Sequence, residues 1–266
     1  MKVVIGIPVR MGSSRFPGKP LAKILGISMI EHVYKRCLLV KHVDDVFVAA
    51  CDEAIRQTVL GFGGKVYMTH QEISRPALRV AEACRKQNLA DDDIVVVVQG
   101  DEPLIHPGMI DLAIAPLLAD PKVQILTLVA DANEKEWLDP NEVKVVVDER
   151  EDILFMSRSS IPSNIRDRIG PRLKQVAIMP FRKKFLLDFQ EMSATPYEIA
   201  ESIELLRAVE HGIKVRTAKS PYRSVSVDTE PDRQEAERAM RRDEFYPSYA
   251  GRRQEMLAGD RDRKQN

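Results

Sequence analysis

Three cations, two glycines and two serines follow the first apolar segment of the chain. The stretch reads Pro8-Val9-Arg10-Met11-Gly12-Ser13-Ser14-Arg15-Phe16-Pro17-Gly18-Lys19-Pro20. Backbone N–H groups of a glycine-containing loop can form an anion nest, and Arg10, Arg15 and Lys19 add charge-assisted donors suited to phosphate or carboxylate. The order is not that of a Walker loop, because Pro20 follows Gly18-Lys19. The loop therefore predicts an anion site, with a solvated basic turn as the alternative.

Two acidic residues each follow a short apolar run. Asp101 comes shortly after 94–98, which reads IVVVV, and Asp228 comes directly after 225–227. Carboxylate oxygens are ligands that Mg²⁺ prefers, and Mg²⁺ usually keeps several waters as well. Two acids from separate strand ends could therefore share one Mg²⁺ bound to a triphosphate. The alternatives are a turn residue for Asp101 and a helix N-cap for Asp228.

Apolar strands alternate with helical segments through the first 130 residues. We predict strands at 3–7, 46–50, 65–68, 94–98 and 125–129, and helices at 29–40, 53–60, 78–87 and 109–118. The IVVVV run indicates a strand buried on both faces. The alternation predicts an α/β protein with a doubly wound sheet in three α/β/α layers. Ligands bind at the carboxyl ends of such strands, where the cationic loop and Asp101 lie.

The second half of the chain is richer in β structure. We predict a hairpin from 142–147 and 153–156, strands at 175–179, 213–218 and 225–227, and helices at 196–211 and 230–241. We expect one domain over 1–242, an inserted β-rich segment at about 131–182, and a charged C-terminal extension over 243–266.

Composition excludes several classes of protein. The 266-residue chain has 40 Lys and Arg against 40 Asp and Glu, and 44% of its residues are hydrophobic. It is therefore too apolar for a disordered chain and too evenly charged for a basic nucleic-acid binder. It has no apolar run near the ~20 residues of a membrane span and no signal-peptide pattern. The three cysteines, Cys37, Cys51 and Cys84, have no CxxC spacing, so we predict that they are reduced thiols. We expect a cytoplasmic protein with no nucleic-acid or membrane partner.

Six collinear stretches between residues 7 and 232 carry a family resemblance. They read IPVRMGSSRFPGKPL, VQGDEPLI, DPNEVKVVVD, FMSRSSIP, PYEIAESIELLRAVEHG and VDTEPD. They resemble the CMP-sugar synthetases, most closely the 3-deoxy-manno-octulosonate (Kdo) cytidylyltransferases. The resemblance implies a Rossmann-like nucleotidyltransferase fold, Mg²⁺ as cofactor, and a homodimer formed partly by the inserted segment. It also implies a reaction in which the anomeric hydroxyl of a sugar acid attacks the α-phosphate of CTP and releases pyrophosphate.

The same resemblance implies roles for individual residues. The implied catalytic residues are Arg10, Arg15, Lys19 and Asp101. The implied nucleotide-binding residues are Pro8, Arg10, Ser13, Lys19, His70, Arg75, Gln99 and Asp101. The implied acceptor-binding residues are Arg15, Arg158, Gln175, Glu201 and Glu204. The implied Mg²⁺ ligands are Asp101 and Asp228.

The sequence departs from the family pattern where the nucleotide base is read. The family's SGT[DE]R stretch is Arg75-Pro76-Ala77-Leu78-Arg79 here, and His70 stands where an Arg is common. Pro76 also removes a backbone donor. The sequence therefore predicts the reaction class and leaves the preferred base open.

A second departure lies where the acceptor binds. The family's HLGIYGYR is QVAIMPFR over 175–182, Ser163 replaces the Trp of IPW, and Leu205 replaces a frequent Gln. A sugar-acid pocket is built from hydrogen bonds, so these changes favour an acceptor other than Kdo itself. Three hypotheses stay open: transfer to Kdo or a Kdo-like acid, transfer to a modified sugar acid or a smaller phosphorylated or phosphonate acceptor, and an inactive nucleotide-binding homologue.

Overall fold

A computed structural model describes residues 1–12, 15–163, 170–223 and 225–251. The strands are β1 (Val3–Val9), β2 (Lys23–Ile24), β3 (Ile27–Ser28), β4 (Asp45–Ala50), β5 (Lys65–Met68), β6 (Ile94–Val98), β7 (Leu126–Asp131), β8 (Lys144–Val147), β9 (Ile153–Ser157), β10 (Leu173–Val176), β11 (Ile178–Arg182) and β12 (Arg216–Lys219). The helices are α1 (Met29–Cys37), α2 (Glu53–Gly61), α3 (Pro76–Cys84), α4 (Pro107–Ala119), α5 (Glu134–Leu138), α6 (Lys183–Glu191), α7 (Pro196–Glu201), α8 (Leu206–Glu210) and α9 (Glu230–Met240), with a 3₁₀ turn at Lys19–Leu21. None of the helices in these ranges is long and apolar enough to cross a bilayer.

The first sheet is mostly parallel and is covered on both faces. Its strand order is β11-β6-β1-β4-β5, and only β11 runs antiparallel to its neighbour. The IVVVV run forms β6, and all its residues are buried. Apolar residues of α1, α2 and α4 pack on one face, and those of α3 and α6 pack on the other. The predicted three-layer α/β/α fold is confirmed.

The second sheet holds most of the β structure of the second half. Its order is β12-β7-β10-β8-β9, with β12 parallel to β7 and the other pairs antiparallel. The predicted hairpin is confirmed as β8 and β9. An antiparallel bridge between Ile125 and Phe181 joins the two sheets. Strand β9 is the last strand in this order, and its first residue pairs with the segment before β12, because Ile153 N donates to Val215 O at 2.9 Å.

Three predictions about secondary structure were wrong. The single strand at 175–179 is two strands, because the chain passes from β10 in the second sheet to β11 in the first at Ala177. The single helix at 196–211 is α7 and α8, because Ser202 has a left-handed φ of 55° that ends the first helix. Residues 225–227 form no strand; instead Val227 is buried against α9.

The residues that follow α9 fold back onto α1. Asp243 forms an ion pair with Arg36, and the Tyr249 hydroxyl lies 3.0 Å from His32 Nδ1. Tyr249 is only 8% exposed. The division of the chain at residue 242 stays a prediction, and 252–266 lie outside the described residues.

Candidate active site

A cleft opens where β1 and β6 end. Its volume is about 950 Å³ with the open mouth included, which is the size of a small-molecule site. The lining residues are Pro8, Val9, Arg10, Gly12, Arg15, Lys19, Pro20, Ser74, Pro76, Arg79, Gln99, Gly100, Asp101 and Asp228. Gly100 lets the two strand ends approach, because a Cβ there would lie 2.2 Å from Val9 Cγ1. The parallel sheet thus places the cationic loop beside the acid that follows β6.

Lys19 lies between the two acids that the sequence singled out. Its Nζ is 2.7 Å from Asp101 Oδ2 and 3.0 Å from Asp228 Oδ1. Burial lowers the pKa of Lys19, but the neighbouring carboxylates of Asp101 and Asp228 outweigh burial and raise the pKa above its ordinary value. Arg15 Nη2 adds a second cation, 3.1 Å from Asp228 Oδ2. The site is therefore a compact cluster of two ammonium or guanidinium groups and two carboxylates.

Asp228 precedes the N-cap of α9. Thr229 is the N-cap of α9: its side chain accepts from Asp232 N, and the two residues form a capping box. The N-cap alternative for Asp228 was therefore wrong. Two backbone bonds hold Asp228 at the cleft: Val227 N donates to Asp101 O at 2.9 Å, and Asp228 N donates to Asp232 Oδ2 at 3.1 Å.

The two carboxylates fit a single Mg²⁺. Oxygens of Asp101 and Asp228 already converge on one cationic atom, Lys19 Nζ. No group of three or more His, Cys, Asp or Glu suited to a metal occurs within the described ranges. A Mg²⁺ ion here would thus take two protein carboxylates and complete its shell with water and phosphate oxygens, as Mg²⁺ commonly does.

The start of α3 forms one wall of the cleft through Ser74, Pro76 and Arg79. Arg79 is only 3% exposed, and it donates to Thr69 Oγ1 at 2.5 Å and to the Ile73 carbonyl. Arg79 was not among the predicted site residues. The sequence did contain a signal for Arg79, because this residue matches the final Arg of the family's SGT[DE]R stretch.

Arg15 also contacts the second sheet. Its Nη1 donates to Asn141 Oδ1 at 3.2 Å, in the loop between α5 and β8. Arg158 Nη1 donates to the carbonyls of Pro140 and Asn141 in the same loop. Asn141 was also missed, although it lies in the DPNEVKVVVD stretch that carries the resemblance.

Six of the predicted site residues lie away from the cleft lining: His70, Arg75, Arg158, Gln175, Glu201 and Glu204. The His70 side chain is 86% exposed. Gln175 donates to Thr127 Oγ1 at 3.3 Å. The structure does bring together Pro8, Arg10, Arg15, Lys19, Gln99, Asp101 and Asp228. Ser13 lies outside the described residues, and the predicted roles of all these residues stay predictions.

The polar groups predicted to face the acceptor bind one another. Ser157 Oγ donates to Glu201 Oε1 at 2.7 Å, and Arg158 N donates to Glu201 Oε2 at 2.9 Å. Arg158 Nε donates to the carbonyl of Glu201 at 2.8 Å. Glu204 is buried, and burial raises its pKa to about 7, although backbone N–H groups of α3 and the charges of Arg75 and Arg207 act in the opposite direction. This region is a connected network beside the cleft.

A doubly wound sheet with a cationic loop after its first strand, and paired acids that could hold a divalent ion, defines a nucleotidyltransferase. The family model described as cytidylyltransferase matches residues 3–227. The chain belongs to this cytidylyltransferase family, as the sequence predicted.

Two curated relatives and one solved structure illustrate the similarity. The chain is 42% identical over 245 residues to a 3-deoxy-manno-octulosonate cytidylyltransferase of Geobacter metallireducens, covering 87% of this chain and 95% of the relative. It is 40% identical over 234 residues to an 8-amino-3,8-dideoxy-manno-octulosonate cytidylyltransferase of Shewanella halifaxensis, covering 87% and 96%. A structure of CMP:2-keto-3-deoxy-manno-octonic acid synthetase complexed with CTP superposes with a TM-score of 0.85 at 37% identity, covering 91% and 99%.

Proposed function

We propose that this cytidylyltransferase transfers CMP from CTP to a sugar acid of the Kdo type and releases pyrophosphate. The observation that carries the proposal is the cluster of Lys19 and Arg15 with Asp101 and Asp228 at the end of the parallel sheet. The cations suit a triphosphate and the acids suit its metal ion. The relatives' names, which include Kdo and its 8-amino analogue, support the acceptor class.

The mechanism needs positioning and charge neutralisation more than covalent chemistry on the protein. The acceptor's anomeric oxygen forms a bond to the α-phosphorus, the bond from that phosphorus to pyrophosphate breaks, and the hydroxyl proton passes to water. Arg10, Arg15 and Lys19 line the cleft and would stabilise the negative charge that builds on pyrophosphate. Asp101 and Asp228 would hold Mg²⁺, which would supply positive charge next to the phosphates.

A second candidate is cytidylyl transfer to a different acid. Arg158 directs its side-chain donors at the carbonyls of Pro140, Asn141, Glu201 and Ser202, so its guanidinium is occupied within the chain. Gln175 likewise donates to Thr127 where the family has a His. Both observations favour an acceptor that makes fewer hydrogen bonds than Kdo, such as a modified sugar acid or a smaller phosphonate.

A pyrophosphate-release assay separates these candidates. CTP, UTP, ATP and GTP would each be paired with Kdo, 8-amino-3,8-dideoxy-manno-octulosonate, a phosphorylated sugar and an alkyl phosphonate, in the presence of Mg²⁺. We expect release with CTP and a Kdo-type acid at a rate at least about tenfold above every other pair. Release with the phosphonate alone would overturn the Kdo assignment, and no release with any pair would favour a nucleotide-binding homologue.

We also propose that the chain forms a homodimer through the edge of its second sheet. Leu154 on β9 is 57% exposed, and on α7 Tyr197 is 56% and Ile199 64% exposed. The ring of Tyr197 packs edge-on against Phe155 at 5.7 Å, which joins α7 to β9. Exposed apolar side chains on the last strand of a sheet and on the helix beside it suit burial against a second copy of the chain.

Replacing Ile199 by aspartate is expected to weaken the proposed dimer. A charge placed in an apolar interface must be desolvated, so the dissociation constant should rise at least about tenfold. Light scattering after size-exclusion chromatography would measure it. Leu38→Asp is the matched control, because Leu38 is 50% exposed at the end of α1. A monomeric wild-type protein, or equal effects of both substitutions, would contradict this interface.

The proposed setting of the reaction is the cytoplasm. Cys37 and Cys84 are buried and Cys51 is partly buried, and all three are free thiols. Free thiols persist in reducing compartments, which supports that location.

A further inference from the structure

The first turn of α3 lacks a local cap. Arg75 occupies the N-cap position and its side chain makes no capping hydrogen bond, while Pro76 at the first helical position has no N–H to donate. The next two backbone donors, Ala77 N and Leu78 N, therefore need acceptors from elsewhere, because the first N–H groups of a helix have none within it.

Glu204 supplies both acceptors from a distant part of the chain. Its Oε2 accepts from Ala77 N at 3.2 Å, and its Oε1 accepts from Leu78 N at 3.4 Å. A carboxylate at a helix N-terminus also benefits from the helix dipole. Glu204 is 8% exposed, so water does not replace these bonds easily. The first turn of α3 is thus fixed by a single buried side chain from 126 residues further along the chain.

The turn that carries Glu204 also binds the charged groups around it. Ser202 Oγ accepts from Arg75 Nη1 at 3.1 Å, and Arg75 Nε lies 3.4 Å from Glu198 Oε1. Arg207 pairs with both oxygens of Glu198, at 2.7 and 2.8 Å. Glu198 therefore forms the ion pairs with both arginines, whereas the Glu204 carboxylate binds the α3 backbone.

The same turn reaches the region where the acceptor is predicted to bind. Glu201, at the end of α7, accepts hydrogen bonds from three groups of this region. Its carboxylate accepts from Ser157 Oγ and Arg158 N, and its carbonyl accepts from Arg158 Nε. On its other side, α3 presents Pro76 and Arg79 to the nucleotide cleft. The segment 201–204 therefore contacts both predicted subsites, one through Glu201 and the other through Glu204.

We propose that Glu204 is a positioning residue for CTP: it fixes the first turn of α3 as a wall of the nucleotide cleft and ties that wall to the acceptor side through the turn at 201–204. This role rests on the proposed function, because it takes the cleft to be the CTP site. This role differs from direct contact with the acceptor. It also explains how α3 keeps its first turn although the family's Gly and hydroxyl residues are replaced at 75–77.

The test compares Glu204→Gln and Glu204→Ala with wild type by calorimetric CTP binding and by steady-state kinetics. An amide accepts at one oxygen only, so Glu204→Gln should raise the Kd and KM for CTP about threefold to tenfold, and Glu204→Ala should raise them further. The kcat and the KM for the acceptor should change less than twofold in Glu204→Gln.

Two further variants define the controls. Glu191→Gln removes a carboxylate that is 72% exposed in α6 and should change neither KM. Glu201→Gln should raise the acceptor KM and leave the Kd for CTP unchanged. A Glu204→Gln protein with a wild-type Kd for CTP would overturn the proposal, whether its acceptor KM rises or only its melting temperature falls. Failure of the proposed function would appear separately, as a wild-type protein that does not bind CTP or does not release pyrophosphate.

Discussion

Replacing Asp101 by asparagine is expected to lower kcat by about a thousandfold or more while the fold stays intact. Asp101 follows β6 at the cleft, and its carboxylate is the closer of the two acids to Lys19, at 2.7 Å. Asparagine keeps one oxygen and the shape of the side chain but removes the negative charge that would hold Mg²⁺ and orient Lys19. Removal of a single group that stabilises transition-state charge typically costs about 10²–10³ in kcat, and loss of the metal adds to it.

The measurement is pyrophosphate release at saturating CTP, acceptor and Mg²⁺, with circular dichroism and thermal unfolding as checks on the fold. Asp131→Asn is the matched control, because Asp131 lies at the end of β7 and its side chain is 70% exposed and paired with Lys219. The control should keep wild-type turnover. Normal activity of Asp101→Asn at saturating Mg²⁺ would show that Asp101 is not a ligand of the metal ion.

Local patterns in the sequence were sufficient to predict the four parallel strands of the first sheet. The run IVVVV could be assigned because a strand covered by helices is apolar on both faces, and β6 is buried throughout. Because β6 and β1 are parallel neighbours, the loops that follow them lie at the same edge of the sheet. The juxtaposition of Lys19 and Asp101 therefore followed from topology, without knowledge of any side-chain contact.

Features that depend on distant contacts could not be predicted in the same way. Segment 175–179 has one apolar pattern, yet it divides between two sheets because β7 and β6 offer separate pairing edges to β10 and β11. The break at Ser202 has no Gly or Pro to signal it. Asp228 was correctly placed beside Asp101, but for an incomplete reason, since the residues before it form no strand.

The unpredicted parts of the site share this origin. Asn141 meets Arg15 across 126 positions of sequence, and Glu204 meets Leu78 across another 126. Neither pair has a characteristic local spacing, because each contact joins elements that are far apart in the sequence and meet only in the folded chain. Family resemblance assigned Glu204 to the acceptor side, which stays a prediction, whereas only the structure revealed its bonds to α3.

Replacing Lys19 by methionine is expected to affect catalysis and metal binding in opposite directions. Lys19 is the most buried cation of the cluster, its side chain 13% exposed, and its ammonium contacts both acids. Methionine keeps the length of the side chain and removes the charge. Without that charge on the triphosphate, kcat/KM for CTP should fall about 10²–10³-fold in the pyrophosphate-release assay. Lys23→Met, at an exposed position on β2, should keep wild-type activity.

Metal binding in the absence of CTP provides the second readout. In the free protein the Lys19 ammonium lies between Asp101 and Asp228, where it competes with a divalent ion for the same oxygens. Removing it leaves two carboxylates close together in a partly buried site, where their repulsion is relieved best by a cation. Mn²⁺ titration followed by electron paramagnetic resonance should therefore show binding at least about tenfold tighter in Lys19→Met than in wild type. Equal or weaker Mn²⁺ binding would mean that the two acids do not form the metal site. Tighter binding with lost activity would mean that CTP must draw Lys19 away from the acids before the metal can bind to them.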